Sequence, residues 1–158
     1  MATFEFKKNN KIGSFLALLV GAFLVLSCSK TEPSAPEDEQ IESYITSKNL
    51  VVTEKTSSGL RFIRTTASTG AMVLAGQTVS VKYAGKLLSD TQFDAGTFAF
   101  RLGAGSVIKG FDEGIAKMKV GEKATLIFPS SIGYGASGSG SIPGNAPLLF
   151  DIEVLSAR

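Results

Sequence analysis

With 158 residues the chain has room for one ordinary domain and not for two, and 44% apolar with 19% charged residues fits a globular protein rather than a disordered or fibrous one. No histidine and a single cysteine, Cys28, exclude Ser-His-Asp and Cys-His catalysis, the usual zinc ligand sets and any disulfide within the chain. The net charge of +2 comes from Lys7, Lys8 and Lys11 against Glu5, and from Cys28 onward basic and acidic residues are equal in number, which leaves no basic stripe for nucleic acid.

Residues 1–27 read as a targeting leader. Three lysines form a positive start, and Ile12 through Leu26 form an apolar run shorter than the roughly 20 residues of a membrane span. The run closes on Val25-Leu26-Ser27-Cys28, which resembles the bacterial lipobox: an aliphatic, a variable and a small residue before the cysteine that is lipidated. Without that motif an uncleaved anchor and a simple secretory signal fit equally well. The resemblance implies lipidation at Cys28 with the two or more acyl chains that stable anchoring takes. It also implies a place in the bacterial cell envelope. Ser29, where an acidic residue retains some lipoproteins at the inner membrane, points to the outer one.

Residues 28–36 are polar and proline-punctuated, a tether. Ser34 and Glu37 have capping-box spacing, Pro36 falls in the first turn, and Glu37, Asp38 and Glu39 suit the positive end of a helix. Ile41, Tyr44 and Ile45 give the i, i+3, i+4 stripe, and Lys48 and Asn49 are stop signals. A helix near residues 36–48 follows, filling the segment 37–49; the alternative is a charged spacer.

From Leu50 the period becomes alternating, and residues 50–158 form the main domain. Strands are predicted around Leu60–Ile63, Val79–Tyr83, Ala124–Phe128 and Phe150–Val154, each with one apolar face. Between them Ile108, Phe111, Ile115 and Met118 carry the stripe of one short helix. The class is α+β, a bent antiparallel sheet closed over one short helix, with an N-terminal helical lead-in. Gly133-Tyr134-Gly135-Ala136-Ser137-Gly138 matches a dinucleotide fingerprint by spacing. It is followed by Ser139-Gly140-Ser141-Ile142-Pro143-Gly144, which cannot continue a helix, so it is a loop. No calcium-loop pattern occurs, and neither metal nor cofactor is expected.

Aromatic residues crowd the second half of the chain, and most are core by pattern, Phe100 and Phe128 among them. Phe93-Asp94 and Gly133-Tyr134-Gly135 lie in turn-rich segments and fit a pocket better than a core. The ordered strings Val79-Ser80-Val81-Lys82-Tyr83-Ala84-Gly85, Phe93-Asp94, Phe98-Ala99-Phe100-Arg101-Leu102-Gly103 and Val107-Ile108-Lys109-Gly110-Phe111-Asp112-Glu113-Gly114 carry the first half of a family resemblance. Gly121-Glu122-Lys123-Ala124, Tyr134-Gly135, Ile142-Pro143 and Leu148-Leu149-Phe150-Asp151-Ile152-Glu153-Val154-Leu155 complete it. Together they resemble the FKBP-type peptidyl-prolyl cis-trans isomerases, in a bacterial lipoprotein form, over about residues 50–158.

The resemblance implies a proline pocket lined by Tyr83, Phe93, Phe98, Val107, Ile108, Phe111, Ile142 and Phe150, with Phe111 as its floor. Asp94 would act on the rotating carbonyl, and the Tyr134 hydroxyl and Ile108 N–H would donate to substrate carbonyls, which makes Asp94, Tyr134 and Tyr83 the expected catalytic set. The bland alternatives are that Tyr83, Phe98 and Phe150 complete the core and that Asp94 caps a turn. Phe111 stands where the family usually has Trp, only Ala95-Gly96-Thr97 separate Asp94 from Phe98, and Gly144 replaces a common second proline. Modest activity is the expectation. The implied partners are proline-containing polypeptides, macrolide ligands and the membrane through the lipid anchor, with no nucleic acid, and the chain is read as a monomer. The other reading is a weakly active binding module or holdase in the envelope.

Overall fold

The computed structural model describes residues 36–158; the leader, Cys28 and the tether as far as Ala35 lie outside the described residues. Helix α1 (Glu37–Ser47) opens after Pro36 with its three carboxylates in the first turn. It ends as the sequence predicts. Lys48 caps it, Asn49 turns into the left-handed region at φ 52°, and the Asn49 and Leu50 N–H groups donate to the Thr46 and Ile45 carbonyls at 3.1 and 3.0 Å. The Ser34 half of the expected capping box lies outside the described residues. The Glu37 carboxylate accepts from the N–H and hydroxyl of Ser130, at 2.5 and 2.7 Å, and Pro36 stands at the cap position rather than inside the first turn. Ser130 is buried, and two unpaired donors there would cost more than a helix N–H left to water.

Six strands follow: β1 (Glu54–Lys55), β2 (Arg61–Thr66), β3 (Thr78–Leu87), β4 (Gln92–Arg101), β5 (Lys123–Phe128) and β6 (Leu148–Ala157). They form one sheet in the order β1-β2-β5-β6-β3-β4, every neighbouring pair antiparallel. Alternation sorts their side chains into two cores. Val79, Val81, Leu126, Phe128, Phe150, Ile152 and Val154 cluster with Phe111 and Ile115 of helix α2 (Lys109–Ile115). Ile63, Ile127 and Leu149 form the second cluster with Ile41 and Ile45 of α1. The sheet is therefore covered by one helix per face: the α+β class and α2 over one face are as the periodicity predicts, whereas α1, expected only as a lead-in, covers the other. Close approach of α2 depends on Gly110 and Gly114, where an added Cβ would lie 2.6 Å from the Phe128 ring and 2.2 Å from Leu126 Cδ1.

Two sequence readings need correction. Phe93 and Asp94 lie within β4 rather than in a turn, because pairing along β3, from Thr78↔Arg101 to Lys86↔Gln92, overrides the poor strand preference of Asp94, Ala95 and Gly96. Helix α2 stops at Ile115, short of Met118. Lys117 and Met118 donate to the Gly114 and Ile115 carbonyls at 3.1 and 3.0 Å, a tightened last turn that still brings Met118 into the core. No helix among the described residues is long and apolar enough to cross a membrane.

A charge anchors α1 to the sheet. Arg61 of β2 is fully buried; Nη2 donates to Asp38 and, at 2.7 Å, to Glu42, while Nη1 donates to the Gly59 carbonyl at 2.6 Å. These bonds from Arg61 hold both carboxyls below their ordinary values of 3.8 and 4.5, with Lys55 adding to the effect. Near those values the unfolded chain binds more protons than the folded one, so the contribution is complete above them and is lost as pH falls through the folded values. The protection of the α1 amides, their hydrogen exchange measured against the intrinsic rate at each pH, should therefore fall below about pH 4.5. In an Arg61→Met variant that acid sensitivity should be much reduced, whereas an unchanged profile would show that the anchor does not set it.

Candidate active site

The face of the sheet that carries α2 also holds a cleft of about 370 Å³. β3 supplies Tyr83, β4 supplies Asp94 and Phe98, and β6 supplies Phe150. The segment leading into α2 contributes Val107 and Ile108, α2 contributes Phe111, and the loop after β5 contributes Tyr134. Phe111 is buried and joins the rings: its centroid lies 5.2 Å from Phe150, edge to face, 5.9 Å from Phe98, stacked, and 6.0 Å from Tyr83. Geometries of this kind are the favoured ones for aromatic pairs. Helix α2 thus presents one aromatic floor to walls that come from three strands.

The structure does not bring every expected residue into the cleft. Phe93 is the extra residue of a β-bulge between Gly85↔Asp94 and Lys86↔Gln92, and its ring packs on Phe150 at 5.6 Å. That packing requires Gly85, where a Cβ would sit 2.6 Å from Phe93 and 2.8 Å from Phe150. Ile142 is buried in the main core and held by a bridge to Ser139, its carbonyl accepting at 3.0 Å and its N–H donating at 2.9 Å. Neither lines the cleft. Gly105 and Ser106 do, and sequence reasoning missed them. Their only signal was position, immediately before Val107-Ile108.

Polar groups in the cleft are few and differ in their engagement. The Tyr83 hydroxyl donates to Asp94 Oδ2 at 2.6 Å, which fixes the carboxylate and leaves Oδ1 without a hydrogen-bond partner among the described residues. The Tyr134 hydroxyl makes no hydrogen bond among the described residues, and the residue is 37% exposed. Ile108, in extended conformation at the cap of α2, accepts at its carbonyl from the Phe111 and Asp112 N–H groups, both at 3.1 Å. Its own N–H has no acceptor among the described residues. The cleft is thus an aromatic bowl with one carboxylate and two donors at liberty. No three His, Cys, Asp or Glu side chains gather to hold a metal ion among the described residues. The Gly133–Gly138 segment passes through a short 3₁₀ turn, Gly135–Ser137, and opens no α-helix.

The comparison with known protein families decides the assignment: the model of the FKBP-type peptidyl-prolyl cis-trans isomerases matches residues 70–155. The chain belongs to that family. FK506-binding protein 1 of Dictyostelium discoideum is 49% identical over 89 residues, 52% of this chain and 83% of that protein. "Peptidyl-prolyl cis-trans isomerase FKBP53" of Arabidopsis thaliana is 38% identical over 133 residues, and the chain spans only 26% of its length. Among solved structures, FkpA from Escherichia coli superposes with a TM-score of 0.68 at 30% identity, covering 78% of this chain and 59% of that one. AtFKBP13 gives 0.62 at 35% identity, covering 66% and 97%. In this FKBP-type domain, α1, β1 and β2 precede the family-matched residues.

The phenols of the FKBP-type cleft are tuned as donors. The hydrogen bond to Asp94, with burial second, pushes Tyr83 up to about 12, and burial followed by the Asp94 charge raises Tyr134. Both stay protonated at pH values where a free phenol, near 10, begins to ionise. Isomerisation by the full chain should hold a level kcat/KM from about pH 7 to about pH 10. A decline centred between those limits would show that a less shifted group governs the rate.

Proposed function

We propose that the chain is a lipid-anchored peptidyl-prolyl isomerase that rotates X-Pro bonds in exported proteins. The observation that carries this reading is the aromatic cleft in which Asp94, oriented by Tyr83, stands among Phe98, Phe111 and Phe150. Rotation about an X-Pro bond meets a barrier of about 18–20 kcal/mol from amide resonance, and no covalent bond need break. The twisted imide has lost that resonance, so a site that binds it better than the planar form accelerates the exchange. Phe111 takes the proline ring on its face while the surrounding rings exclude water. The Asp94 charge acts on the rotating carbonyl, and the Tyr134 hydroxyl and Ile108 N–H hold the flanking carbonyls. Macrolides would occupy the same bowl.

Lipidation at Cys28 and a place in the bacterial envelope, at the outer membrane, belong to this reading through the leader and lipobox of the sequence. There the domain would act as a monomer on proline-containing segments of unfolded chains, whose isomerisation is slow enough to limit folding. Exchange NMR on proline peptides with Leu, Phe or Ala before Pro, using the chain from Ser29 onward, tests the activity. Acceleration supports the enzyme; a folded protein with none would leave a binding module. Labelling with tritiated palmitate tests the anchor, and a Cys28→Ser protein that still takes up label would overturn it.

A further inference from the structure

Helix α1 lies before the family-matched residues, yet its first residue reaches the loop that carries Tyr134. Both oxygens of Glu37 are spent on Ser130, Oε2 on its N–H at 2.5 Å and Oε1 on its hydroxyl at 2.7 Å, across 93 positions of sequence. Ser130 is 4% exposed, and its carbonyl accepts from the Gly133 N–H at 2.8 Å, which closes the turn directly before Tyr134. Tyr134 stands between Gly133 and Gly135, the latter at φ 64°, so the backbone around it has unusual freedom. On the far side the loop is held by the Asn145 N–H, which donates to the Gly135 carbonyl at 2.9 Å.

We propose that Glu37 is a positioning residue for isomerisation, fixing the near end of the loop at residues 130–138 and with it the Tyr134 hydroxyl at the cleft. The proposal rests on the isomerase reading above. Glu37 touches no cleft residue; it acts through Ser130. The opposite end of α1 is held separately, by the Tyr44 hydroxyl and Lys48 donating to Asp90, both at 2.6 Å, and by Ile45 in the second core. Removing the Glu37 carboxylate therefore releases the loop without removing the helix.

The test compares Glu37→Ala, Glu37→Gln and Ile45→Val in the full chain, with kcat/KM corrected for folded fraction and amide shifts recorded by NMR. Glu37→Ala should lower kcat/KM about three- to tenfold and move the amides of residues 131–136. Glu37→Gln, whose amide oxygen still accepts from the Ser130 N–H and whose NH₂ can donate to the hydroxyl, should recover most of the loss. Ile45→Val thins the helix seat without touching Ser130 and should leave kcat/KM at the wild-type value. Equal loss in Ile45→Val, or unmoved amides around Tyr134 in Glu37→Ala, would overturn the proposal. A wild-type chain with no turnover would count against the isomerase reading alone, because the amide shifts report the loop without any catalysis.

Discussion

Phe111→Ala should cost the domain about 3–5 kcal/mol, enough to leave it near its unfolding threshold at room temperature. The side chain is buried at the centre of the main core, and its ring meets those of Tyr83, Phe98, Phe100 and Phe150. Truncation removes the apolar area and every one of these ring contacts at once. The space cannot collapse easily, since α2 is already seated against β5 through Gly110 and Gly114. Urea unfolding measures the loss directly. Phe111→Leu separates fold from function: it keeps most of the volume, and roughly 1.5 kcal/mol or less should be lost. Its isomerase activity should still fall by at least about tenfold, because the flat face that receives proline is gone. A Phe111→Leu protein with wild-type turnover would show that the ring serves packing alone.

Asp94→Leu should do the reverse, lowering kcat/KM about 10- to 100-fold with little change in stability. Asp94 is exposed on the edge strand, so its contribution to the folded state is screened by water. Within the closed complex the same carboxylate faces a drier surrounding, where its field on a rotating carbonyl counts for more. Two companions divide the effect. Asp94→Asn keeps an acceptor for the Tyr83 hydroxyl but removes the charge, whereas Tyr83→Phe keeps the charge and removes the 2.6 Å bond that orients it. If charge is what matters, Asp94→Asn resembles Asp94→Leu and Tyr83→Phe loses less. An Asp94→Leu protein that keeps full activity would remove the carboxylate from the mechanism.

The fold was readable in the sequence wherever local pattern and tertiary packing agree. Asn49 stops α1, and the alternation through Val79, Val81 and Tyr83 or Phe150, Ile152 and Val154 assigns faces correctly. Strand β4 was not readable, because Asp94, Ala95 and Gly96 break any strand signal and are extended by their partners on β3. In the cleft, residue type was legible and exact placement was not. Phe93 and Ile142 look like pocket residues by chemistry, but a bulge and a two-residue bridge direct them elsewhere. Gly105 and Ser106 enter through the path of a loop, which no side-chain pattern encodes. The link from Glu37 to Ser130 spans most of the chain and had no local signature.

The two-sided sheet changes what counts as a self-sufficient unit. Residues 70–155, the portion that the family model matches, contain β5 and β6 but neither β2 nor α1. A fragment cut at those limits would bare Ile127 and Leu149 to water and leave the β2-facing edge of β5 with unpaired backbone groups. Such an edge beside an apolar patch is a template for aggregation. The stretch by which the family is recognised is thus shorter than the unit that keeps its apolar surfaces covered, and the residues before it are those that close the back of the sheet.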